Sequence, residues 1–125
     1  MMVRNIESVL LFSEKPRKLM EFYRDVVGLK LTTEAEMGAG TAVFFFEMKG
    51  CDLVIMYHKK VKGKNKTPQR MIFNLEVDDI EKDVKKLKKA KVKLIQDIYH
   101  VEDYGYIATF GDLDGNYFQL VKTRE

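Results

Sequence analysis

Apolar residues fall in short blocks whose spacing changes along the chain, and the change of spacing names the elements. Ile6 to Phe12 is apolar and partly β-branched, the composition of a strand. Ser13-Glu14-Lys15-Pro16 then reads as a helix start, with proline in the first turn. Leu19, Met20, Phe22, Tyr23, Val26 and Val27 follow at three- to four-residue spacing, one apolar face of a helix. Gly28 stands where a helix commonly ends. Strands are expected over Leu29–Thr33, Thr41–Met48 and Cys51–His58, separated by a Gly-rich turn at Met37–Gly40 and a tight turn at Lys49-Gly50. The first half therefore predicts the order β-α-β-β-β.

The second half repeats it. Met71–Val77 predicts a strand, and Asp78-Asp79-Ile80-Glu81 predicts a helix N-terminus, with an acidic cap and Glu three residues on. Ile80, Val84 and Leu87 mark that helix's buried face. Strands are expected over Val92–Tyr99, Tyr106–Phe110 and Tyr117–Lys122. Turns fall at Asp103-Tyr104-Gly105 and at Asp112-Leu113-Asp114-Gly115, where Asp-Gly is a strong hairpin signal. The two halves form an internal repeat that sets Gly50 opposite Gly115, Leu53 opposite Phe118 and Ile55 opposite Leu120. Expected boundaries are repeat 1 at 5–58, a linker at 59–69 and repeat 2 at 70–123, within one domain spanning 1–125.

Alternation assigns the faces. Val9, Leu11, Leu53, Ile55, Tyr57, Phe73, Leu75, Val77, Phe118 and Leu120 are expected under the helices. Ser8, Leu10, Phe12, Val54, Met56, His58, Ile72, Asn74, Glu76, Tyr117, Gln119 and Val121 are expected on the open faces, whose mixed composition suits a small-molecule cavity. Phe45 should point away from Phe44 and Phe46.

Composition and charge narrow the classes. Hydrophobic residues make up 46% and charged residues 33% of the 125, the balance of a globular protein. No apolar run approaches the ~20 residues that span a bilayer, and one cysteine rules out an intrachain disulfide; a cytoplasmic location is expected. The net charge is only +3. Basic residues cluster in His58–Lys66 and at Lys82, Lys85, Lys86, Lys88, Lys89, Lys91 and Lys93. Both clusters read as a solvated loop and a solvated helix face, and neither nucleic acid nor membrane is expected as a partner.

Two stretches carry a family likeness. Phe22-Tyr23-Arg24-Asp25-Val26-Val27-Gly28-Leu29-Lys30-Leu31, together with Tyr104-Gly105-Tyr106 and Phe110–Leu120, resembles the vicinal oxygen chelate superfamily of glyoxalase I, bleomycin-resistance proteins and extradiol dioxygenases. The resemblance implies an α+β fold of two tandem β-α-β-β-β modules whose mixed sheet curls around a cavity, usually completed in a homodimer. It also implies where metal ligands would stand: Ser8, Val54, Ile72 and Gln119. None is a histidine or carboxylate and two are aliphatic, so no metal or other cofactor is expected.

Cavity positions are expected at Ser8, Val54, Met56, Ile72, Asn74, Tyr104, Tyr106 and Gln119. Three readings follow. The first is a metal-independent protein that binds a small organic molecule, for which the charge favours an anionic or aromatic ligand over a cationic one. The second is a glyoxalase-type lyase or isomerase with a displaced metal site drawn from His58, His100, Glu47 and Glu76. The third is a dimeric scaffold with a filled cavity. No catalytic residue is assigned. Cys51 reads as structural, and the Asp112 and Asp114 carboxylates as turn chemistry.

Overall fold

The computed structural model describes residues 1–36 and 41–124, which form two compact units, Met1–Gly63 and Lys64–Glu125. The Gly-rich turn expected at Met37–Gly40 lies outside the described residues.

In the first unit β1 (Ser8–Ser13), α1 (Pro16–Glu21), β2 (Thr33–Glu36), β3 (Ala42–Phe46) and β4 (Asp52–Tyr57) give a four-stranded sheet of order β1-β4-β3-β2. The second unit repeats the plan. β5 (Phe73–Glu76), α2 (Ile80–Lys89), β6 (Lys93–Val101), β7 (Gly105–Gly111) and β8 (Tyr117–Thr123) give the order β5-β8-β7-β6. Each sheet is mixed: the first strand runs parallel to the last, and the others pair antiparallel. This is the tandem β-α-β-β-β arrangement expected from the sequence. The parallel pair follows from the helix, because a crossover connection is what returns a chain to the same direction.

Register fixes the faces. Leu10, Phe12, Val54 and Met56 share one face of the first sheet, with Val43 and Phe45 across from Met56 and Val54. The other face carries Leu53, Ile55, Phe44 and Phe46, each almost fully buried. Arg17 of α1 lies over the Phe44 ring at 5.0 Å, which marks this as the face under the helix. In the second sheet Phe118, Leu120, Phe110 and Ala108 are buried on one face, and Phe118 stacks between Phe110 and Phe73 at 6.0 and 6.4 Å. Ile80, Val84 and Leu87 are the buried stripe of α2, which packs against β6, β7 and β8. Tyr57, expected in the core, is instead exposed, because it is the last residue of β4.

Local structure departs from the sequence reading at four places. The first helix is α-helical only to Glu21; Phe22–Val27 winds as a π-helix closed by Gly28 at φ 97°. The Gly28 and Leu29 amides both donate to the Tyr23 carbonyl, at 3.0 and 2.9 Å. The wider winding lets the adjacent Phe22 and Tyr23 both be buried. Next, β2 begins at Thr33 rather than Leu29, where the ladder to β3 starts. A 3₁₀ turn over Pro68–Arg70 precedes β5, which begins at Phe73 rather than Met71. Finally, the cap of α2 is Asp79, whose carboxylate accepts the Lys82 amide at 3.1 Å, rather than Asp78 with Glu81.

The repeat is visible in the turns. Gly50 and Gly115 precede β4 and β8 at φ 94° and 79°. At the second turn Asp112 is buried: its Oδ1 accepts the amides of Asp114 and Asn116, both at 2.9 Å, and its Oδ2 accepts Asn116 Nδ2 at 3.1 Å. Asp112 therefore organises the hairpin, as its place in the turn implied.

Candidate functional site

The positions that the superfamily resemblance assigns to metal ligands do not make a metal site. Ser8 begins β1, Val54 is a buried aliphatic on β4, and Ile72 lies just before β5. Gln119, the one strong polar group of the set, spends its amide donor on Thr109 Oγ1 at 2.8 Å. A hydroxyl, two aliphatic side chains and an engaged amide do not fit a divalent cation that favours imidazole and carboxylate. Among the described residues no group of three or more His, Cys, Asp or Glu side chains stands together in a way that could hold a metal ion. His58 accepts the Lys60 amide through Nδ1 at 3.1 Å and meets Phe12 edge-on. His100 packs on Tyr106 with ring centroids 4.9 Å apart. Glu76 accepts the Thr123 hydroxyl at 2.9 Å.

Each expected cavity residue has a definite place. In the first unit Val54 and Met56 lie two apart on one face of β4, with Ser8 on the same face of β1, level with Asp52. In the second unit Asn74 and Gln119 are direct partners across β5 and β8, so their side chains stand side by side. Thr109 joins them from β7. The Tyr104 hydroxyl lies 3.4 Å from Asn74 Nδ2, which brings that ring to the same group. Tyr106 belongs elsewhere. Its register partner is Lys122, and by alternation it shares the face of Ala108 and Phe110, opposite Asn74 and Gln119. The reason is local: β7 opens at Gly105 with φ 143°, so the two tyrosines flanking it leave the backbone in unrelated directions.

A cleft forms where these elements end. Its volume is about 480 Å³, and His100, Asp103, Tyr104, Gly105, Tyr106, Lys122, Thr123 and Arg124 line it. Register explains the gathering. His100 pairs with Tyr106 and Tyr106 with Lys122, making one row across β6, β7 and β8. The turn from Val101 to Gly105 puts Asp103 at φ 64°, and the Arg124 amide donates to the Tyr104 carbonyl at 2.8 Å, holding the chain beyond β8 against that turn. Arg124 Nη1 also donates to Asp103 Oδ1 at 3.1 Å. Two of the expected residues, Tyr104 and Tyr106, thus meet at this cleft despite their different faces. The sequence reading missed Asp103, Lys122, Thr123 and Arg124 and named His100 only as a candidate for a displaced metal site; the signal available was the position of Lys122 two residues beyond Leu120 on the same strand.

Each unit thus carries one mixed sheet of the β-α-β-β-β plan, and the cleft lies at one end of the second sheet. The sequence profile of the Glyoxalase/Bleomycin resistance protein/Dioxygenase superfamily matches residues 5–120, and the chain belongs to that superfamily. Among curated proteins it is similar to the uncharacterized protein YetH of Bacillus subtilis strain 168, with 24% identity over 119 residues, covering 95% of this chain and 98% of YetH. Among solved structures it is similar to TnmS3, an antibiotic binding protein from Streptomyces sp. CB03234, with a TM-score of 0.74 at 21% identity over 99% of each chain. It is also similar to the genomically encoded fosfomycin resistance protein FosX of Listeria monocytogenes, with a TM-score of 0.75 at 14% identity, covering 98% of this chain and 94% of FosX. At these identities the two structures show the shared fold.

Proposed function

We propose that this protein binds a small organic molecule, without a resident metal, in the cleft at the end of β6, β7 and β8. One observation carries the reading: about 480 Å³ of concave space is lined by three rings, four further polar side chains and a buried glycine. Ligand pockets commonly run about 300–1,000 Å³ and combine ring surface with a few placed polar groups. That TnmS3 is an antibiotic binding protein, and FosX a fosfomycin resistance protein, supports a small-molecule role on the same scaffold.

The test is a screen of mixed aromatic, aliphatic, cationic and anionic fragments by ligand-observed NMR, with amide shifts of the labelled protein followed for each hit. Binders whose shifts centre on Tyr104, Gly105, Tyr106 and Thr123 are expected. A folded protein that takes no fragment at millimolar concentration, or takes them only at other residues, overturns the reading.

A further inference from the structure

The charges around the cleft are matched within the fold, whereas its rings stay open. Arg124 Nη1 donates to Asp103 Oδ1 at 3.1 Å. The Thr123 hydroxyl donates to Glu76 Oε2 at 2.9 Å, which brings a second carboxylate up to the lining residues. Lys122 is engaged within the fold as well. Two cationic side chains thus stand with two carboxylates, and each of the four already has an interaction. A charged ligand group of either sign would have to displace one of these partners and would lose its own hydration in doing so.

The aromatic side chains are differently placed. Tyr104 and Tyr106 are 37% and 46% exposed, and His100 is exposed beside them. The His100 and Tyr106 rings stand 4.9 Å apart with their planes at 51°, a tilted pair in which neither ring covers both faces of the other. The Tyr104 hydroxyl has only the long contact to Asn74 Nδ2 at 3.4 Å, so that ring also remains at the cleft surface. Exposed rings gathered in a concave place offer a planar π-system large contact area and a favourable ring geometry.

We infer that the ligand of this cleft is a neutral, planar aromatic molecule, recognised through its ring by Tyr106 and His100. This rests on the cleft being the binding site and goes beyond it by naming the ligand's chemistry.

The experiment uses four probes: 1-naphthalenemethanol, its saturated decalin counterpart, 1-naphthoate and 1-naphthylmethylamine. Each is titrated into the full chain at neutral pH, at low and at high salt, with the amide shifts of Tyr104, Gly105 and Tyr106 as the readout. The aromatic alcohol should bind about fivefold tighter than its saturated counterpart. It should also bind about threefold tighter than either charged probe, with an affinity that salt does not change. Tyr106→Leu, at a half-exposed position that an aliphatic side chain can occupy, should remove most of the gap between the two alcohols. A charged probe that equals or exceeds the aromatic alcohol at the cleft overturns the neutral class and leaves small-molecule binding standing. Equal binding of the two alcohols, or a gap that Tyr106→Leu leaves unchanged, overturns recognition through the ring. Failure of all four at the cleft overturns the neutral aromatic class; if the fragment screen also gives no shift at Tyr104, Gly105 or Tyr106, the binding reading falls with it.

Discussion

Gly105 lies so close to the backbone of Lys122 that a β-carbon built on it would stand 2.1 Å from the Lys122 carbonyl oxygen. Real β-carbons do not approach a backbone oxygen so closely, and the φ of 143° is itself a conformation that side chains resist. The contact is what lets β7 begin flush against β8 and closes one end of the cleft. Gly105→Ala should therefore destabilise by about 2–4 kcal/mol and abolish cleft binding in whatever fraction stays folded. Urea titration of the variant reads the first, and NMR titration with a fragment that binds the wild-type cleft the second. A stability unchanged within error would show that β7 and β8 can part without loss.

Asp112 ties the β7–β8 hairpin through three hydrogen bonds made by a buried carboxylate. Asp112→Ala strands two amides and one side-chain donor, and should cost about 2–4 kcal/mol. Asp112→Asn should cost less. Its amide oxygen can still accept from the Asp114 and Asn116 amides, whereas its NH₂ would face Asn116 Nδ2, donor against donor. Turning Asn116 over to relieve that contact would break the bond in which Asn116 Oδ1 accepts Asn65 Nδ2 at 3.0 Å. The ordering Asp, Asn, Ala in denaturant midpoint checks the account; equal losses for the two variants would show that packing at residue 112, not hydrogen bonding, sets the stability.

Asp79 caps α2 by accepting the Lys82 amide, and its residue has the extended backbone of an N-cap at φ −130°. Asp79→Ala should cost about 1 kcal/mol, whereas Asp78→Ala should change stability little. Thermal melts of the two variants distinguish the capping residue from its neighbour. A larger loss at Asp78 would move the cap back to where the sequence pattern first put it.

Much of the fold was legible because each half spells its elements in the usual signals: a continuous apolar run at Leu53–Tyr57, alternation in Phe73–Val77, a three-four stripe at Ile80, Val84 and Leu87, and glycines at Gly28, Gly50 and Gly115 where the chain does take positive φ. The π-winding of Phe22–Val27 was not legible, since the stripe there fits an α-helix equally well and only the burial of two adjacent rings decides it. The cleft was read in part. Tyr104 and Tyr106 were identified, but not the row His100–Tyr106–Lys122. That row depends on register shifts in β6 between Leu94 and Gln96 and between Gln96 and Tyr99, which period counting along one strand does not contain. Tyr106 was expected at the cavity with Gln119, but the β7–β8 register sets it beside Lys122, on the face opposite Gln119.

The pairing of Lys88 with Asp97 at 2.6 Å joins α2 to β6, and it gives this contact a pH signature. The hydrogen bond from Lys88 holds the Asp97 carboxyl below its ordinary value, aided by the Ile98 amide. A carboxyl lowered in the folded state stabilises above the unfolded value, about 3.9, and loses that contribution as pH falls through the folded one. Asp97→Asn keeps an oxygen for the Ile98 amide, which donates to Oδ1 at 2.7 Å, but removes the charge. The variant should melt slightly below the wild type at pH 7, and the gap should close as acid takes the solution below about pH 4. The side chains are about half exposed, at 44% and 51%, so the gap should also narrow in 1 M salt at neutral pH. Melting temperatures of both proteins from pH 2 to 8 are the measurement, and a gap that persists unchanged at pH 2 would show that Asp97 acts through its shape rather than its charge.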